Sequence, residues 1–271
     1  MVVTDLAVPQ HEGPASQVGY LMVGADGTTF GFGKVTVDDT VRSQLAGRSV
    51  VGAAISPTGL GHWVAIDDGS VLVVGDAPAH GDAAHLDLAA PMVSITARAD
   101  GTGYWLASAD GGIFTFGSAG FHGSLGGSPP RTPVADMAVL PDASGYWVVS
   151  ADGEVAAFGN APDCGSASGI GLGPTIVAMA ASPTGDGYWL VTGDGQVLCF
   201  GDAPFFGSPA DLGHGPDDPI IGLSASRHAF GYQTASAKGS VRAFGDAYFL
   251  GHIPPGSMPA PVAAFAALPA T

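Results

Sequence analysis

The 271-residue chain carries 24 acidic against 8 basic side chains, a formal net charge of −16. That field repels phosphate backbones and anionic lipid, so no nucleic-acid partner is expected. With 43 glycines and 21 prolines turns must be frequent, yet 46% hydrophobic residues are too many for a disordered Gly/Pro-rich polymer, so a packed core is expected.

No run approaches the roughly 18 consecutive apolar residues of a membrane helix, so no membrane insertion is expected. The opening Met1-Val2-Val3-Thr4-Asp5-Leu6 lacks a basic stretch leading into an apolar one, and no signal peptide is visible in it. Cys164 and Cys199 fit neither a disulfide framework nor a four-ligand zinc site. Buried free thiols are the favoured reading, with a Cys164–Cys199 disulfide as the other.

Self-comparison reveals a repeat of about 42 residues. Asp-Gly recurs at Asp26, Asp68, Asp110, Asp152 and Asp194, and returns as Lys238-Gly239 after a two-residue insertion near Pro216–Pro219. Six residues beyond each stands an apolar anchor before Gly: Phe32, Val74, Phe116, Phe158, Phe200 and Phe244. In chain order each unit reads as four short strands. The first is apolar, with seven copies: 3–8, 50–55, 92–97, 134–139, 176–181, 220–225 and 262–267. The second begins at Gly-Tyr-Trp, as at Gly187-Tyr188-Trp189, and runs to Asp-Gly, the strongest short-range hairpin signal. The third carries the anchor and ends at Gly-Asp-Ala, and the fourth is short, as at Phe205–Ser208.

No sustained helical period is present. Four strands in some 40 to 45 residues, repeated, predict an all-β chain: one β-propeller domain over residues 1–271, with six blades of four antiparallel strands. Seven copies of the first strand against six of the others leave one to spare. A seven-bladed or incomplete propeller is the alternative.

The pattern Ser-Pro-Thr-Gly-x-Gly-Tyr-Trp-Leu-Val-x-x-Asp-Gly, followed by Phe-Gly-Asp-Ala-x-Phe-x-Gly-Ser and nearly whole from Ile176 to Ser208, resembles repeats of actinobacterial cell-envelope and secreted proteins. The first unit departs most, with Leu21 for Trp and Lys34-Val35 for Asp-Ala. The resemblance implies an extracytoplasmic setting and an accessory role. It names no ligand.

Candidate chemistry is sparse. The Tyr-Trp pairs at 104–105, 146–147 and 188–189, with the variants His62-Trp63, Tyr20-Leu21 and Tyr232-Gln233, suit a sugar-stacking platform, but their recurrence within strands favours core packing. Aspartates of the Asp-Gly and Gly-Asp-Ala turns come one per turn, which favours bonds to their own backbone over calcium ligation. The eight histidines are scattered, and no nucleophile elbow or phosphate loop is present, so catalysis has no selected residues.

Aligning the first strands places Asp5 and Asp136 at one otherwise small position, in units that a six-fold ring sets opposite each other. Solvated channel carboxylates are the plain reading, and an axial Ca or Mg ion or a cationic ligand the sharper one. No other cofactor is expected. The expected function is non-catalytic binding of a cell-envelope glycan or protein partner, by a monomer, through the variable loops Leu125–Arg131, Ala167–Pro174 and Pro209–Pro219. A hydrolase or lyase on the same scaffold, and structural assembly through the spare strand, are the alternatives.

Overall fold

The computed structural model describes residues 18–171, 173, 175–226 and 230–269. They form an all-β structure of six sheets, each of three antiparallel strands. The first sheet joins β1 (Gly19–Gly24) and β2 (Thr29–Gly33) to β18 (Val262–Ala267), in the order β18-β1-β2. The others follow the chain: β3 (Val50–Ile55), β4 (Gly61–Ile66) and β5 (Val71–Gly75); then β6 (Met92–Ala97), β7 (Gly103–Ser108) and β8 (Ile113–Gly117). Next come β9 (Val134–Val139), β10 (Gly145–Ser150) and β11 (Val155–Gly159); then β12 (Ile176–Ala181), β13 (Gly187–Thr192) and β14 (Val197–Gly201). The sixth sheet holds β15 (Ile220–Ala225), β16 (Gly231–Ser236) and β17 (Val241–Gly245).

Six of the seven expected first strands have the bounds read from the repeat, and the seventh, 3–8, lies outside the described residues. Each of the six is bulged at its second residue, Val177 in β12 for instance, where the register slips between Ile176 and Ala178. Such bulges add twist. Neighbouring first strands adjoin from β18 through β3, β6, β9, β12 and β15 back to β18, surrounding a cavity of about 430 Å³.

The second strands are buried along their whole length, with no alternation of inside and outside. Each sheet is covered on both faces by its neighbours, so successive side chains both enter a core. Trp147 packs at 5.2 Å from Tyr188 of the next sheet, and Trp63–Tyr104, Trp105–Tyr146 and Trp189–Tyr232 repeat the contact. The other face of each tyrosine meets the anchor of its own sheet, as in Tyr146–Phe158 at 5.7 Å.

Polar tips of the same pairs hold the segment after the third strand. The Trp147 Nε1 donates to Pro162 O at 2.8 Å, and Trp63, Trp105 and Trp189 donate likewise to residues fifteen further on. The Tyr146 hydroxyl donates to Gly123 O of the preceding unit at 2.6 Å and accepts from His122 N. Tyr20, Tyr104, Tyr188 and Tyr232 bind Gly251, Gly81, Gly165 and Gly207 in the same way.

The four-stranded blade is therefore corrected. Phe205–Ser208 and its counterparts are not strands but straps lying between one sheet and the next. Side-chain tips satisfy the backbone groups that a fourth strand would present to a ladder, and Gly207 at φ +123° takes a conformation outside strand geometry.

The first unit replaces its strap with a short helix, α1 (Thr40–Leu45), which the sequence reading did not anticipate. Val41 and Leu45, four apart and so on one face, are buried against the first two sheets.

Candidate functional site

Among the described residues, the cavity between the first strands is walled mostly by small and aliphatic side chains, with Phe265, one cation, Arg98, and one carboxylate, Asp136. Asp136 Oδ1 accepts from Ser94 Oγ at 2.6 Å and from Met137 N at 2.8 Å, and Oδ2 accepts from Met179 N at 2.9 Å. One side chain thus ties β6, β9 and β12 together. Removal from water pushes its pKa up, and the three donors pull against that.

Asp5 lies outside the described residues, and the place expected for it in the first sheet is taken by Ala264 of β18. The structure therefore does not set a second carboxylate across from Asp136 among the described residues.

Turn aspartates act on their own backbone. Asp68 accepts from Ser70 N at 2.9 Å and Asp110 from Gly112 N at 3.1 Å. The Gly-Asp-Ala aspartates reach back to the Ser-Pro-Thr turn of the same unit: Asp76 binds Ser56 and Thr58, and Asp202 binds Ser182 and Thr184.

His80, His122 and Cys164 share one repeat position and a common chemistry. His80 donates through Nε2 to Gly101 O at 2.9 Å, His122 to Ala143 O at 3.2 Å, and Cys164 through Sγ to Asp186 O at 3.3 Å. Each ties a strap to the next unit's turn. Cys164 and Cys199 are both free and half-buried.

His62 stands where the other sheets have tyrosine. It has no solvent exposure, and neither ring nitrogen has a hydrogen-bond partner among the described residues. Burial lowers its pKa to about 4, with the Asp38 carboxylate pulling weakly the other way. The cause is local: Leu21 replaces tryptophan, Val74 replaces the anchor phenylalanine and α1 replaces the strap, so this wedge is aliphatic.

The two ends of the ring differ. At the Asp-Gly end each variable loop starts with an amide bonded to the turn glycine, Ala83 to Gly69, Leu125 to Gly111, Ala167 to Gly153 and Ala210 to Gly195. A tight turn then presents Leu86, Ser128, Ile170 and Leu212 at one repeat position, with the three apolar ones 43%, 59% and 37% exposed. The loop 125–131 also roofs a hollow of about 250 Å³ lined by Leu125, Pro129, Pro130 and Arg131. At the other end Phe121 and Phe205, again one repeat position, are exposed, as are Leu60 and Phe230. Sequence reasoning found the loops but not these side chains, although their spacing in the repeat was available.

Comparison of the chain with protein-family models and with curated proteins finds no match. Among the described residues no helix is long and apolar enough to cross a membrane.

Proposed function

We propose that the chain is a single six-bladed β-propeller domain acting as a non-catalytic, extracytoplasmic binding module, whose loop end grips a protein partner of the cell envelope. Supporting the ring is the closed circuit of first strands, with β18 completing the first sheet. The observation that carries the binding reading is the row of Leu86, Ile170 and Leu212, exposed at one repeat position of loops otherwise unlike in sequence. Isolated apolar side chains on a surface are ordinary, but a repeated position is a patterned face. Aliphatic side chains suit the apolar centre of a protein interface better than the ring stacking that sugars favour.

A second reading is favoured by Phe121 and Phe205 at the opposite end, whose flat apolar rings suit an envelope glycan. Two variants separate the readings: Leu86, Ile170 and Leu212 all changed to Ser, and Phe121 with Phe205 changed to Ser. Sedimentation with purified peptidoglycan and cross-linking to isolated envelope proteins are the readouts. Loss of a specific protein cross-link in the first variant alone supports the leading reading. Peptidoglycan binding lost only in the second supports the glycan. Unchanged behaviour of both variants contradicts both.

A further inference from the structure

Among the described residues the third strand of each sheet has a neighbour on one side only. A fourth strand would cover the other side, but straps stand in its place, so each sheet keeps an outer edge. One of the six edges differs from the rest. The middle residue of β11, Ala157, is exposed, whereas Gly31, Val73, Thr115, Cys199 and Ala243 at the same position are half-buried or buried.

The backbone of β11 presents pairing groups on that side. Ser150 N donates to Glu154 O at 2.9 Å across the Asp152-Gly153 turn, which makes Ser150–Glu154 and Val148–Ala156 the mutually bonded pairs of the ladder. Bonded and non-bonded pairs alternate along antiparallel strands, so the N–H and C=O groups of Val155 and Ala157 point out of the sheet. Among the described residues neither meets a hydrogen-bond partner there. In the next unit the amide equivalent to that of Val155, Val197 N, is taken by Ser208 Oγ at 3.0 Å.

Beside this edge lies the hollow under the loop 125–131. Ser150, Glu154 and Ala156 line it from the sheet, and Leu125, Pro129 and Pro130 line it from the loop. Its cation, Arg131, is held by Asp152 at 2.5 Å. Its carboxylate, Glu154, is exposed and carries no ion pair among the described residues.

We propose, on the reading that the loop end grips a protein, that the outer edge of β11 takes up an extended segment of that partner as a fourth strand, with a lysine or arginine of the segment in the hollow against Glu154. Strand addition supplies backbone hydrogen bonds, and every second side chain of the added strand falls on the face that carries Glu154 and Ala156. The aliphatic stem of a basic side chain covers Leu125 and the two prolines while its charge meets the carboxylate. The net charge of −16 draws a basic segment towards this surface.

The probe is a phage-displayed library of random dodecapeptides, selected on the full-length protein. Enriched peptides should carry lysine or arginine among β-branched residues. The best of them, made synthetically, should slow hydrogen exchange of the Val155 and Ala157 amides about tenfold or more. Ala157→Pro removes an N–H that points out of the sheet, so the protein should stay folded and bind the peptide about tenfold or more weakly. Glu154→Lys should weaken binding about fivefold or more at low salt. Two versions of the peptide, N-methylated at one or the other set of alternate residues, test pairing without altering the protein, and one should bind about tenfold more weakly than the other.

No enrichment, enriched peptides without basic residues, unchanged exchange at Val155 and Ala157, or equal binding of the two methylated peptides each overturns the added strand. An envelope-protein cross-link that is lost in the Leu86, Ile170 and Leu212 variant but kept in folded Ala157→Pro also overturns it, and leaves the loop-end reading standing.

Discussion

Trp147 shows how one residue type serves two purposes in this repeat. Its ring fills the space against Tyr188, and its indole N–H secures the Pro162 carbonyl of the strap. Replacing Trp147 with Ala is expected to cost about 3–5 kcal/mol, measured by denaturant unfolding. An unchanged midpoint contradicts its place in the core. That the Tyr-Trp pairs belong to the core was legible from their recurrence within strands. Their hydrogen-bond partners were not, because Gly123 is 23 residues before Tyr146 and only the adjacency of two sheets brings them together.

His62 was visible in the sequence only as a variant, since nothing local says that its partner has been replaced by a helix. Its folded pKa near 4 lies below the unfolded value of 6.5, so protons favour the unfolded chain. Stability should fall as pH drops through this window, by up to about 3 kcal/mol in total. In His62→Leu that share of the acid destabilisation should disappear, as read from unfolding free energies at pH 7 and pH 4. An identical loss in both proteins contradicts the reading.

At the scale of elements, strands one to three were legible because their hydrophobic runs and turn residues share one period. The fourth was misread for a physical reason. Short apolar residues flanked by Gly, such as Phe205–Ser208, fit a strand or a buried strap equally well in sequence, and only the capture of Gly207 O by the Tyr232 hydroxyl decides between them. The strap's close approach is testable. Gly123 has φ +134°, and a Cβ there would lie 2.5 Å from the Phe158 ring, whereas Gly127 has nothing within 4 Å among the described residues. Gly123→Ala should therefore lower stability by about 1–3 kcal/mol, through backbone strain and the clash. Gly127→Ala should leave the melting temperature nearly unchanged. Equal effects at the two positions contradict a strap wedged between sheets.

For the whole molecule, the repeat made six units readable, but not how the ends meet. Val3–Val8 and Val262–Ala267 are equivalent by pattern, and only the pairing of β18 with β1 shows the C-terminal copy completing the first sheet. Of the expected Asp5–Asp136 pair, only Asp136 lies among the described residues, and Ala264 holds the equivalent position in the first sheet. Ligand identity was not legible for a different reason: the scaffold is specified by what recurs, and binding by loops that do not.

The central claim is a closed ring of six mutually supporting sheets, and native-state hydrogen exchange tests it most directly. In an open array the terminal unit has one neighbour, so it frays and exchanges far faster than an inner one. In the ring every second strand is paired on both sides. Amides of β1, such as Tyr20 and Met22, should then be protected to within about tenfold of Tyr146 and Val148 in β10. Protection that falls by about a thousandfold or more from β10 to β1 would contradict the ring.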